Sequence, residues 1–210
     1  MPEQETTSGI SRRTLCLGAG ATVALLGLGA MKLVSAEAQV RPPGGQDENR
    51  MLADCVRCER CVEACPRGVI RVAHFDAGVA GIRTPIMDFH DDYCTACTEE
   101  NGGVPLCALV CPTDAIALDR AADATKIVIG EAVLDTNQCL AYRQAGCRFC
   151  YDACPYEAIQ LDELNRPVVL ADKCNGCGAC ESVCVSLKEG SIVAGSKFRA
   201  IHVVAPGTKA

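Results

Sequence analysis

Sixteen of the chain's seventeen cysteines lie between Cys55 and Cys184, and they fall into four groups of four. Motif one holds Cys55, Cys58, Cys61 and Cys65; motif two holds Cys94, Cys97, Cys107 and Cys111. Motif three holds Cys139, Cys147, Cys150 and Cys154; motif four holds Cys174, Cys177, Cys180 and Cys184. All four end in the same Cys-x3-Cys step, followed by Pro66, Pro112 and Pro155 in the first three and by Val185 in the fourth. Thiols at this density can bind an iron–sulfur cluster, hold zinc, or pair as disulfides.

Spacing decides among these. Three thiolates two or three residues apart on a tight loop can reach three irons of one cube from the same side, whereas a fourth placed three residues further, on a short helix, points away toward a neighbouring cube. Motifs one and four match the bacterial run in which the fourth cysteine serves the other cluster, apart from Val185 in the proline position. Two motifs thus build one unit with two clusters, and four motifs imply two units and four [4Fe–4S] clusters, ligated by the sixteen cysteines. Structural zinc wants two well-separated pairs per ion, and cysteines two residues apart bridge poorly as disulfides.

The elements that must position these thiols repeat. After each of the first three quartets come Cys65-Pro66-Arg67-Gly68-Val69-Ile70, Cys111-Pro112-Thr113-Asp114-Ala115-Ile116 and Cys154-Pro155-Tyr156-Glu157-Ala158-Ile159. Proline ends a helix and the apolar β-formers that follow start a strand. Ala132-Val133-Leu134-Asp135 before Cys139 resembles Val168-Val169-Leu170-Ala171-Asp172 before Cys174. The repeat predicts strand, cysteine loop, short helix and strand, hence an α+β fold of two bacterial-ferredoxin-like dicluster units spanning residues 51–204. Motifs two and three carry longer loops, Thr98 to Leu106 and Leu140 to Gly146, expected at the surface. The polar Ala121 to Lys126 stretch could mark a boundary. His74, His90 and His202 are isolated from each quartet and read as surface or packing residues.

Aromatic residues make up 4% of the 210 residues and Trp is absent, so side chains alone give a thin core. Metal clusters would replace that core and tie folding to their binding, leaving the apo chain largely unfolded. The formal charge of −6, with no basic stripe, disfavours nucleic acid as a partner.

Ser11-Arg12-Arg13-Thr14-Leu15-Cys16-Leu17 is a twin-arginine sequence ahead of an apolar, Gly- and Ala-rich run from Gly18 to Met31. With Ala36 and Ala38 as an A-x-A-like cleavage site, and Val34-Ser35-Ala36 as a second candidate, residues 1–38 read as an export signal. The run is short and broken at Lys32, whereas a spanning helix wants about twenty apolar residues. This route carries folded proteins, so clusters can be built before export to the periplasm; retention of the signal would leave the protein at the membrane. Cys16 falls inside the signal, leaving sixteen ligands. Residues 39–50, with Arg41-Pro42-Pro43-Gly44-Gly45, read as an extended linker free of the fold, and residues 205–210 as a frayed tail.

Taken together, the quartets, the twin arginine, Arg41-Pro42-Pro43-Gly44, Cys55-Val56-Arg57-Cys58, the wide loop in motif two and Cys184-Val185 make the chain resemble the NapG/MauM family of periplasmic ferredoxin-type proteins. The resemblance covers nearly the whole chain. It implies electron transfer from the quinone pool, through a membrane polyferredoxin or quinol-oxidising partner, toward a periplasmic nitrate reductase or its cytochrome. The MauM branch is tied instead to methylamine utilisation. Related four-cluster subunits pair motif one with four and two with three. By that analogy Cys184 joins Cys55, Cys58 and Cys61; Cys65 joins Cys174, Cys177 and Cys180; Cys154 joins Cys94, Cys97 and Cys107; and Cys111 joins Cys139, Cys147 and Cys150. Sequential pairing, one with two and three with four, is the alternative.

Sixteen cysteines saturate four cubes, leaving no open iron position, and no nucleophile–base arrangement stands out. The expectation is an electron carrier without a substrate site, exported by the twin-arginine machinery. The rival readings are a fixed iron–sulfur subunit of a molybdenum enzyme or hydrogenase, and an electron donor in enzyme maturation.

Overall fold

The computed structural model describes residues 38–98, 103–118, 127–143, 146–188 and 199–208. The twin-arginine segment, the Ala121 to Lys126 stretch and parts of both long loops lie outside these residues.

Two units follow one another. The first opens with helix α1 (Glu48–Asp54), capped by the Asp47 carboxylate, which accepts the Arg50 backbone N–H at 3.1 Å. The motif-one loop follows, then helix α2 (Arg60–Ala64), and strand β1 (Ile70–Val72) pairs antiparallel with β2 (Pro85–Met87), Arg71 facing Ile86. Between them run a 3-10 turn (Phe75–Ala77) and helix α3 (Gly78–Gly81); helix α4 (Leu106–Leu109) belongs to motif two. The second unit holds strand β3 (Glu131–Leu134), helix α5 (Phe149–Ala153), strands β4 (Ile159–Leu161) and β5 (Pro167–Val169), helices α6 (Ala179–Ser182) and α7 (Val185–Lys188), and strand β6 (Ile201–Val204). β4 pairs with β5, and β3 closes against β6. The fold is α+β, as the repeat predicts.

The turn after each Cys-Pro step is the same three times. Gly68, Asp114 and Glu157, each three residues past the fourth cysteine, adopt left-handed φ of 61°, 56° and 51°. The chain reverses there and buries the next two residues, Val69-Ile70, Ala115-Ile116 and Ala158-Ile159, at 2–3% exposure. Strands follow motifs one and three as expected. Among the described residues no strand follows motif two; Ala117 N–H donates instead to the Gly44 carbonyl at 3.1 Å. After motif four the chain, lacking proline, enters α7.

The expected linker does not run free. Arg41 is 2% exposed. Its Nε and Nη2 donate to the Glu48 carboxylate at 2.9 and 2.5 Å, and its Nη1 donates to Thr84 Oγ1 at 2.7 Å and the Pro85 carbonyl at 2.8 Å. Gln46 folds back to donate to the Pro42 carbonyl at 2.8 Å, and Met87 N–H donates to the Val40 carbonyl at 2.8 Å. Proline and glycine suggested a spacer by composition, but a guanidinium with five fixed donors meets carboxylate, hydroxyl and carbonyl acceptors together and pins the segment. Residues 40–45 thus stand to β2 and Ala117 much as β3 stands to β6. The expected tail is also partly packed: Ala205 is buried at 5%, and Thr208 N–H donates to its carbonyl at 3.1 Å.

The cores are small and sulfur-rich. In the first unit Met51, Val69, Ile70, Met87, Phe89 and Ile116 pack with Cys107; in the second Ala132, Ile159 and Ile201 pack with Cys150 and Cys180. His74 and His90 are exposed, and His202 lies in β6 opposite Val133.

Candidate metal centre

The sixteen cysteines line four separate cavities, four thiols to each. Cys55, Cys58, Cys61 and Cys111 surround the first. Cys94, Cys97, Cys107 and Cys65 surround the second. The third is lined by Cys174, Cys177, Cys180 and Cys154, and the fourth by Cys139, Cys147, Cys150 and Cys184. Three thiols of each cavity come from one motif and the fourth from its partner, as the helix argument requires.

The partner, however, is the sequence neighbour. Cys65 joins motif two and Cys111 motif one; Cys154 joins motif four and Cys184 motif three. The pairing implied by related four-cluster subunits is overturned. The cause is local: β1 and β2 form a hairpin that brings motif two back against motif one, as α2 meets α4, and the β4–β5 hairpin does the same for motifs three and four. Each unit closes on itself before the next begins.

Tight loops aim the three thiols. In motif one Arg57 and Glu59 take left-handed φ of 56° and 63°; in motif four Gly176 and Gly178, at the same offsets, take 77° and 85°. Ala96 repeats the first of these positions in motif two at 58°. These kinks turn successive cysteines to one side of the backbone. Amides then approach the sulfurs: Ala96 N–H donates to Cys94 Sγ at 3.4 Å, Leu106 N–H to Cys97 Sγ at 3.4 Å, and Ala158 N–H to Cys154 Sγ at 3.3 Å. Hydroxyls reach two of the fourth ligands, Thr113 Oγ1 lying 3.9 Å from Cys111 Sγ and Ser186 Oγ 3.1 Å from Cys184 Sγ.

Electrostatics reports the same grouping. Burial, and then the nearby Cys55, pushes the Cys61 thiol up to about 11. Burial pushes Cys94 and Cys150 up to about 12, and Cys177 up to about 11. Burial again, with Cys94, Cys97 and Cys65 beside it, pushes Cys107 higher still. Burial raises Cys111 too, but the Ile116 and Thr113 amides, the Thr113 hydroxyl and the Ala115 amide together outweigh it and leave that thiol below its usual value. Four thiolates in a dry cavity repel one another and lack water, so a cationic group must offset them. Among the described residues no three His, Cys, Asp or Glu side chains close tightly enough on one point to hold a single ion. A cube whose four irons are bound one by one needs its thiols further apart, with amides to stabilise sulfur charge. The residues therefore fit [4Fe–4S] clusters, and loading them displaces protons from the raised thiols.

The comparisons agree with that chemistry. The 4Fe-4S dicluster domain profile matches residues 54–115 and 145–186, one stretch in each unit. Ferredoxin-type protein NapG of Escherichia coli is 37% identical over 183 residues, covering 80% of this chain and 75% of its own. Methylamine utilization ferredoxin-type protein MauM of Methylorubrum extorquens is 39% identical over 156 residues, covering 70% of this chain and 68% of its own. The chain belongs to the NapG/MauM family of ferredoxin-type proteins. Ferredoxin-type protein NapF of Escherichia coli is 32% identical over 151 residues, 69% of this chain. Like its relatives, the protein is an iron–sulfur electron carrier built on dicluster units.

Order along the molecule follows from the contacts. Helix α2, which lines the first cavity, packs against α4, which lines the second; α5 of the fourth packs likewise against α6 of the third. Between the units, Cys94 N–H donates to the Cys177 carbonyl at 2.9 Å, bringing a ligand of the second cavity against one of the third. Cys58 is exposed, whereas Cys177 and Cys180 are 8% and 7% exposed. The second and third cavities thus flank the junction of the units, and the first holds the exposed Cys58. Sequence reasoning did not find the Cys94–Cys177 contact, and the glycines of motif four were its only trace.

Proposed function

We propose that the chain carries four [4Fe–4S] clusters, one in each cavity, and relays single electrons between two protein partners. The supporting observation is the set of four cysteine quartets, two to a unit, with ligands of the second and third in contact across the units at Cys94 and Cys177. The clusters supply one-electron reduction and reoxidation. The protein buries ligands of the second, third and fourth cavities, brings amides and hydroxyls to ligand sulfurs, which tunes their potentials, and fixes their separations. The donor is a membrane polyferredoxin or quinol-oxidising protein, and the acceptor a periplasmic nitrate reductase or its cytochrome, reached after twin-arginine export. No substrate site of the chain's own enters this reading. The MauM relatives match with similar identity, 35–39%, which supports electron supply to methylamine utilisation as a second assignment of the same relay.

Anaerobically purified protein is expected to hold about sixteen iron and about sixteen sulfide per chain. Iron near half that value, or stoichiometric zinc, rejects four clusters. Arg12→Lys with Arg13→Lys should leave holoprotein in the cytoplasm, because the paired arginines are read by a receptor; normal export of that variant removes the localisation. Growth on nitrate or on methylamine after gene deletion separates the two assignments.

A further inference from the structure

The two units meet through apolar packing, in which Ile129 and Val203 of the second join the core of the first, and through one buried cation. Arg199 is 6% exposed and lies outside all four cavities. Its Nη1 donates to the Phe89 carbonyl at 3.0 Å and also to the Glu181 carbonyl, while its Nη2 donates to the His90 carbonyl at 2.5 Å. One guanidinium therefore binds two backbone acceptors of the first unit and one of the second, across 109 and 110 residues of sequence for the first two. The acceptors are not arbitrary. Phe89 packs against Gly178, where a Cβ would come within 2.1 Å of its ring, and four residues after His90 comes Cys94, whose N–H donates to the Cys177 carbonyl at 2.9 Å. Glu181 follows Cys180 directly in α6, so the clamp spans from the approach to motif two onto the helix that ends motif four.

A guanidinium taken out of water is costly unless its donors are used. Placed here, Nη1 and Nη2 are spent on main-chain carbonyls beside two ligand loops while Nε is buried without a partner, where an apolar side chain could have packed. Electron tunnelling falls off exponentially with separation, so a loose junction would interrupt a relay whose clusters were all intact. We infer that electrons cross between the two units at the Cys94–Cys177 contact and that Arg199 is the positioning residue that keeps the second and third clusters at working distance. This rests on the relay reading.

The test uses full-length holoprotein carrying Arg199→Met, with Arg199→Lys beside it. Iron and sulfide are counted, spin–spin coupling is read by EPR on the fully reduced protein, and internal electron redistribution is timed after a one-electron reducing pulse. Arg199→Met should keep its iron, lose part of the coupling and slow redistribution by about tenfold or more, the order that an ångström-scale displacement costs in positioned chemistry. Arg199→Lys, which keeps the charge without the fork, should fall between. Unchanged coupling and redistribution at full iron content overturn the inference. So does a loss of iron in both variants with redistribution among the remaining clusters undiminished, since Arg199 then serves folding alone. If unaltered protein shows no redistribution between units, the relay reading fails, and this inference fails with it.

Discussion

The loops of motifs one and four have the same spacing and the same backbone, yet opposite surroundings. Both kink at the second and fourth positions after the first cysteine, into the left-handed region that a side chain enters at a cost of about 1–2 kcal/mol. Motif one places Arg57 and Glu59 there, in solvent, where Arg57 donates to the Ala80 and Ile82 carbonyls, both at 2.9 Å, and Glu59 pairs with Arg83. Motif four places Gly176 and Gly178 there, because a Cβ would lie 2.4 Å from the Gly130 backbone or 2.1 Å from the Phe89 ring. Ligand geometry sets the kink in both; close packing, against Gly130 of the same unit for Gly176 and against Phe89 of the other unit for Gly178, decides the residue. The hairpins differ in the same sense. β4 and β5 are joined by residues 162–166, whereas β1 and β2 are joined by residues 73–84, which carry Phe75 at 78% and Val79 at 58% exposure.

Separating the two units is the largest perturbation of this comparison. Residues 39–123 and 124–210, produced apart and reconstituted under argon, should each hold about eight iron, because each unit contains all eight of its ligands. Failure of both halves to retain a pair of clusters would restore exchange of fourth ligands between units. Next comes Gly178→Ala, which combines a clash with the Phe89 ring and left-handed strain; it should destabilise holoprotein by about 2–4 kcal/mol in chemical unfolding and release iron from the third cavity first. Arg41→Met comes third. It removes a buried clamp, but its partner Glu48 keeps 42% of its side-chain exposure, so a loss of about 2 kcal/mol is expected rather than the full cost of breaking a buried pair. A thermal transition unchanged by that substitution would mean that the segment only rests on the fold. The smallest effect belongs to Glu59→Gly, the mirror of the second experiment. Relief of strain is offset by the freer unfolded chain and the lost surface pair, so stability should stay within about 0.5 kcal/mol. A large loss there would show that motif one is as confined as motif four.

Much of the site was legible because ligand spacing is local. The four quartets, the reach of the fourth cysteine to a neighbour and the reversal after Cys-Pro all lie within a few residues, so sequence alone carries them. The pairing was not legible. It depends on whether β1 finds β2 before the chain meets motif four, and analogy with related subunits pointed the wrong way. Arg41 was missed for the same reason, since its acceptors at Thr84 and Pro85 lie 43 and 44 residues away and nothing in Arg-Pro-Pro-Gly-Gly announces them. Gly176 and Gly178 were visible as letters, but their meaning required Gly130 and Phe89 to be in place.

The exposure of Cys58 sets how the molecule should age in air. Oxidants attack thiolate sulfur in proportion to access, and Cys58 is open to solvent while Cys177 and Cys180 of the third cavity and Cys139 and Cys150 of the fourth are buried. Damage should begin at the first cavity and reach the third and fourth last, so that a briefly aerated sample loses one redox step while the buried ones persist.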